Sequence, residues 1–174
     1  MSQSNSGSQK LFLYLIAGFT VLVVIFIVFF SINEQKNSVS GQVKNYTQSE
    51  SDRPKAVAAE TFSDLGVIKV NEEKSADFTI ENTGNKSLQL FNITSSCGCT
   101  VGKITIGGES SPEFGMHSKS NWKGEIPQGE KATVSVVYRP YVMPVKGDVT
   151  RDVYISTNDP DNKLLTFTVK ANVE

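Results

Sequence analysis

From Thr61 onward, apolar and polar positions alternate in short runs. In ADFTIEN, Ala76, Phe78 and Ile80 share one face, and Asp77, Thr79 and Glu81 share the other. Side chains of an extended chain point alternately to opposite sides, so this pattern predicts a strand with one face buried. ATVSVVY repeats it with Ala132, Val134, Val136 and Tyr138, and DVTRDVYIS with Val149, Arg151, Val153 and Ile155. LLTFTVKANV adds Leu165, Phe167, Val169, Ala171 and Val173. ETFSDLGVI opens the series, and LQLFNIT is partly apolar on both faces. NTGNKS and NDPDN break the runs with turn-forming residues. NDPDN has the oxygens of a calcium loop, but Asn-Asp-Pro accounts for it as a turn. About seven short strands without a 3.6-residue period predict an all-β fold, an antiparallel β-sandwich. A small barrel would satisfy the same pattern.

The N-terminal part is patterned differently. Leu11–Phe30 holds 20 residues without a charge. As a helix that length covers about 30 Å, the hydrocarbon thickness of a bilayer. The run exceeds a signal-peptide core, and FFSINEQ after it offers no small-x-small cleavage site, so an uncleaved signal anchor is expected. The chain then divides into a polar tail (1–10), a transmembrane helix (11–32), a flexible linker (33–60) and a β-sandwich domain (61–174) with an insertion at 103–124. The linker is rich in Ser, Asn and Gln, and as a coil its ends would lie on the order of 30 Å apart. Lys10 on one side against Lys36 and Lys44 on the other does not set orientation by charge. The expectation is a single-pass protein of the cell membrane with its C-terminal domain outside the cytoplasm. The insertion KITIGGESSPEFGMHSKSNWKG carries Phe114, Met116, His117 and Trp122, so it is expected to fold back onto the sandwich.

Charge changes the picture by exclusion. Seventeen Lys and Arg stand against eighteen Asp and Glu, a net charge of −1. Such a balance gives no reason to expect nucleic acid as a partner.

Candidate chemistry concentrates at the two cysteines, Cys97 and Cys99, separated by Gly98. In an extended chain, residues i and i+2 point the same way, so the sulfurs stand side by side. Three readings follow. A disulfide is within reach if Gly98 lets the chain turn, and so short a loop would add little chain entropy. A metal site is the second reading. Two thiolates suit Cu(I) or Zn(II), with His117, the one histidine, and the thioethers of Met116 and Met143 as further ligands and copper favoured. Thiol–disulfide exchange is the third. No residues complete a nucleophilic catalytic constellation around either cysteine.

Five phrases, FSDLGVI (Phe62–Ile68), FTIENTGNKSLQL (Phe78–Leu90), SSCGCT (Ser95–Thr100), IPQGE (Ile126–Glu130) and ISTNDP (Ile155–Pro160), together resemble a bacterial family, domain of unknown function 1573. The likeness runs from about Thr61 to Val173. It departs at Gln128, where the family tends to have proline, and in the longer FGMHSKSNW segment. The resemblance implies an immunoglobulin-like sandwich at the cell envelope and no established activity. The expected role is a membrane-anchored, non-catalytic binding or structural module with an envelope protein as partner. The alternatives are a metal-binding domain and a thiol–disulfide redox partner.

Overall fold

The computed structural model describes residues 12–23 and 42–174. The chain divides into two units, Met1–Val39 and Ser40–Glu174.

In the first unit, residues 12–23 are helical, and the side chains from Phe12 to Val23 are exposed. No helix among the described residues is long and apolar enough to cross a membrane. Of the expected span over 11–32, residues 12–23 are described, and they are helical and apolar. The remainder of that span, Leu11 and 24–32, lies outside the described residues, as do the tail and linker positions 33–41.

The second unit is an open sandwich of two five-stranded sheets. In chain order the strands are β1 (Ala56–Ala58), β2 (Phe62–Ile68), β3 (Lys74–Asn82), β4 (Leu88–Ser95) and β5 (Thr100–Ile106). They continue as β6 (Glu109–Ser110), β7 (Lys123–Ile126), β8 (Lys131–Tyr138), β9 (Gly147–Thr157) and β10 (Leu164–Val173). One sheet runs β1-β3-β8-β5-β6 and the other β2-β10-β9-β4-β7. The expected sandwich is therefore present, with ten strands rather than about seven. The alternation places the core: Phe78, Ile80, Ala132, Val134, Val136 and Tyr138 from one sheet face Val153, Ile155, Phe167, Val169 and Ala171 from the other, all buried. Phe78 and Phe167 meet across the two sheets at 5.2 Å between ring centroids.

Three expectations need correction. The sheets are not wholly antiparallel, because β2 runs parallel to β10. Side-chain period reports which face is buried and is blind to strand direction. The domain also begins before Thr61. β1 pairs antiparallel with β3 through Ala56↔Asn82 and Ala58↔Ile80, inside the expected linker. Three residues are too few to show a period. Finally, the insertion is shorter than 103–124. Lys103–Ile106 completes β5, and Lys123 begins β7. What remains covers the outer edge of β5. Gly102 and Phe114 exchange both backbone hydrogen bonds at 2.8 and 2.9 Å, and the Ser111 amide donates to the Ile104 carbonyl. Phe114 is 2% exposed and stacks obliquely on Trp122.

Gly102 is where β5 approaches the opposite sheet. A Cβ there would lie 2.6 Å from Val153 Cγ1. No side chain larger than hydrogen fits without displacing the Val153 side chain.

Candidate functional site

The site grows from the turn between β4 and β5, residues 96–99. β4 pairs with β9 up to Ser95↔Val153, and β5 resumes pairing at Thr100↔Tyr138. The chain must cross from one sheet to the other within four residues, and the space over Gly98 is open: a Cβ on it would meet nothing within 4 Å. Backbone hydrogen bonds fix the turn. The Ser96 amide donates to the Asp152 carbonyl at 2.9 Å, and the Asp152 amide donates to Ser96 Oγ at 2.9 Å. Ser95 Oγ donates to the Cys97 carbonyl at 2.8 Å, and the Arg139 amide donates to the Cys99 carbonyl at 2.8 Å.

Within this turn Cys97 and Cys99 form a disulfide with a Cα–Cα distance of 5.3 Å. Cys97 is 9% exposed and Cys99 1%. A disulfide sulfur accepts hydrogen bonds and donates none. Arg151 Nε therefore donates to Cys99 Sγ at 3.2 Å, and the Thr100 hydroxyl stands 3.4 Å from Cys97 Sγ as the donor. Arg151 is held by its own donation to the Thr150 carbonyl at 2.8 Å and lies 5.7 Å from the Tyr138 ring centroid. The Tyr138 hydroxyl is buried without a hydrogen-bond partner among the described residues.

The remaining candidate ligands are not assembled around the sulfurs. His117 and Met116 lie on an exposed turn closed by the Ser118 amide donating to the Gly115 carbonyl. Met143 follows β8 and is 53% exposed. Among the described residues, no three His, Cys, Asp or Glu side chains are grouped to hold a metal ion, so His117 does not join Cys97 and Cys99. Two sulfurs bonded to each other offer no thiolate to Cu(I) or Zn(II). The backbone nevertheless brings these segments to one end of the sandwich. A Cβ on Gly115 would lie 4.0 Å from the Thr100 carbonyl oxygen, and Arg139 begins the loop containing Met143.

Sequence reasoning missed two features of this end. The first is a charge network. Arg139 donates from both terminal nitrogens to the Glu113 carboxylate at 2.8 Å and from Nε to Glu73 at 2.9 Å. Hydrogen bonding to Arg139 holds the Glu113 carboxyl below its usual range, and the two carboxylates hold the guanidinium above its own. These residues lie 40 and 26 positions from one another along the chain, so no motif announces them. The second is an apolar loop, Tyr141–Lys146, exposed throughout. Tyr141, Val142, Met143 and Val145 are each 39–53% exposed. Its signal was the string YVMPV without alternation, which no strand could bury.

The Glu113 shift predicts a pH dependence. A carboxyl whose folded value lies below its unfolded one adds stability above the unfolded value, and that stability is lost as pH falls through the folded value. Denaturant titrations should show Glu113→Gln less stable than the parent at pH 7, with the difference closing as pH drops below about 4.5. A gap of equal size at pH 3 would show that Glu113 acts by packing instead.

A cleft of about 380 Å³ lies nearby, lined by Asn92–Thr94, Phe114 and Ser118–Trp122. It opens where β4 is bulged: Asn92, with φ of 48°, breaks the register between Phe91 and Thr94.

Comparison with known proteins bears on the fold and the turn. Residues 56–107 match the family described as protein of unknown function (DUF1573). The matched stretch spans β1 to the end of β5 and starts and ends earlier than the Thr61–Val173 range suggested by sequence phrases. No curated protein matches the chain. Among solved structures, a protein of unknown function from Porphyromonas gingivalis W83 is 21% identical, with a TM-score of 0.54, over 75% of this chain and 52% of that one. This chain thus spans about half the length of that protein. The ASH / PapD-like domain 7 of human CEP192 is 17% identical with a TM-score of 0.47, over 79% of this chain and 96% of that one. The YadV chaperone is 16% identical with a TM-score of 0.40, over 68% and 52%. The first likeness shows the fold, and the other two are too distant to argue from.

Proposed function

We propose that the chain is a non-catalytic binding module of the cell envelope, an immunoglobulin-like sandwich held at a membrane by its uncharged N-terminal run. The observation that carries this reading is the exposed apolar loop Tyr141–Lys146 beside the disulfide turn. Contiguous apolar side chains left in water cost solvation free energy, and soluble domains retain them where another surface covers them. The occupant is a protein rather than a lipid surface. The loop is bordered by Glu73 and Glu113, both paired with Arg139, and ends on Lys146, so two anions stand against two cations. An apolar centre within a polar, charge-balanced rim is how protein interfaces are built, whereas a lipid-facing segment collects cations. Support for the tether is the 20-residue run Leu11–Phe30 and the exposure of its side chains along 12–23.

Val142→Asp with Met143→Asp tests the reading. Both side chains are exposed, so folding stability should change by less than about 0.5 kcal/mol. Co-purification of an envelope protein with the detergent-solubilised full chain should fall at least roughly tenfold, about 1.4 kcal/mol of binding. Unchanged recovery of the same partner would remove the loop from the interface and this reading with it.

A further inference from the structure

We propose that Cys97–Cys99 is a thiol–disulfide exchange site, attacked at Cys97 and releasing Cys99 as a thiolate held by Arg151. The inference rests on the geometry of the turn and is independent of the tether and of what covers the apolar loop.

The two sulfurs are not equivalent. Cys97 keeps 9% of its surface, and the space over Gly98 is open. Cys99 is 1% exposed, yet it is the sulfur that receives a guanidinium hydrogen bond, at 3.2 Å from Arg151 Nε. A cation there is more than a neutral disulfide needs. It matches the charge that appears on Cys99 when the bond breaks, and a neighbouring Arg favours thiolate over thiol. No carboxylate lies within salt-bridge distance of Arg151 among the described residues: Asp152 accepts instead from Thr168 Oγ1 at 2.7 Å and from the Tyr154 hydroxyl at 3.2 Å. The charge of Arg151 is therefore left for the sulfur.

The balance is that of ordinary exchange, with a dithiol as the co-reactant. One thiolate of the dithiol bonds to Cys97 Sγ while the Cys97–Cys99 bond breaks, and the electron pair leaves on Cys99. The second thiolate of the dithiol then bonds to its own partner sulfur in the mixed disulfide, releasing Cys97 with an electron pair. The dithiol is oxidised to its disulfide, the protein gains two electrons, and the two protons of the dithiol pass to solvent or to the cysteines. Besides the S–S bond and the Cys99 amide that donates to Cys97 Sγ at 3.2 Å, the turn is held by bonds that do not involve sulfur. The bonds from Ser95, Ser96, Asp152 and Arg139 described above involve backbone and hydroxyl groups only. A closed loop of three residues also restrains the unfolded chain little. Reduction can therefore proceed without unfolding.

The test uses the full chain in detergent, equilibrated with mixtures of reduced and oxidised dithiothreitol, quenched in acid and counted for free thiols by maleimide mass shift. Circular dichroism follows folding in parallel. The parent should be reduced without denaturant and with an unchanged spectrum. Arg151→Gln should shift the equilibrium towards the disulfide roughly tenfold, the scale of one hydrogen bond to a charged group. Arg151→Lys, which keeps the charge, should recover most of that shift. The proposal is overturned if the parent disulfide resists dithiothreitol until denaturant is added, or if it is reduced only with loss of the folded spectrum. It is equally overturned if Arg151→Gln, folded by the same spectrum, titrates with the parent.

Discussion

Phe167→Ala is expected to cost about 3–5 kcal/mol of folding stability, the range for removing a fully buried aromatic side chain. Phe167 is 0% exposed in β10, and its ring meets Phe78 of β3 from the other sheet. Neither sheet can close the gap by itself. Each is held flat against the other by flanking buried residues, Val134 and Val136 on one side and Ile155 and Val169 on the other. The lost contact is thus between layers, where the cavity term adds to the transfer term. Urea unfolding of the full chain in detergent measures the change. A loss below about 1.5 kcal/mol, typical of a partly exposed position, would mean the two sheets are not packed as described.

Asp159→Ala is the second large effect, at about 2–4 kcal/mol, because it strips the acceptor from several donors at once. Asp159 has no exposed side-chain surface. Its Oδ2 accepts from the Ala56 amide at 2.9 Å and from Asn162 Nδ2 at 2.9 Å, and its Oδ1 accepts from the Asp161 amide at 3.0 Å. Arg53 stands 4.0 Å away. One carboxylate therefore closes the β9–β10 turn and fastens β1 to it. Without it, the Ala56 amide loses its partner in a buried position, and the strand N-terminal to the sandwich loosens first. Trypsin should then cut after Lys55 well before the core unfolds; the Arg53–Pro54 bond resists it in any state. If Lys55 stayed protected and the unfolding free energy changed by less than about 0.5 kcal/mol, the anchoring role would be wrong. The same carboxylate is what the calcium reading of NDPDN would have required, and protein donors already occupy it.

Most of the sandwich was legible because burial between two sheets writes itself into every second residue. Phe78 and Ile80, Val134 and Val136, and Phe167, Val169 and Ala171 are buried as their alternation indicates. The rest was illegible for identifiable reasons. β1 and β6 are too short for a period, and KITI sits beside Gly107 and Gly108, whose turn made it look like part of a loop. The parallel pairing of β2 with β10 joins the first and last parts of the domain and leaves no local mark. At the site, the adjacency of the two sulfurs was visible in Cys-Gly-Cys, but their partner was not. Arg151 lies 52 residues from Cys99 and stood in the sequence only as a member of the β9 alternation, in line with Val149, Val153 and Ile155. The Arg139 network was equally hidden. His117, Met116 and Met143 attracted notice for their chemistry, yet two exposed loops carry them.

The central claim is that the disulfide end of the sandwich, with its apolar loop, is the surface that meets another protein. A photo-reactive side chain placed at Val142 in the full-length protein tests it in intact envelopes, with one at Gln128 on the opposite end as the control. The account predicts a discrete protein adduct from position 142, lost when Met143 is replaced by Asp, and none from position 128. Adducts from 128 and not from 142, or lipid adducts alone from 142, would contradict it.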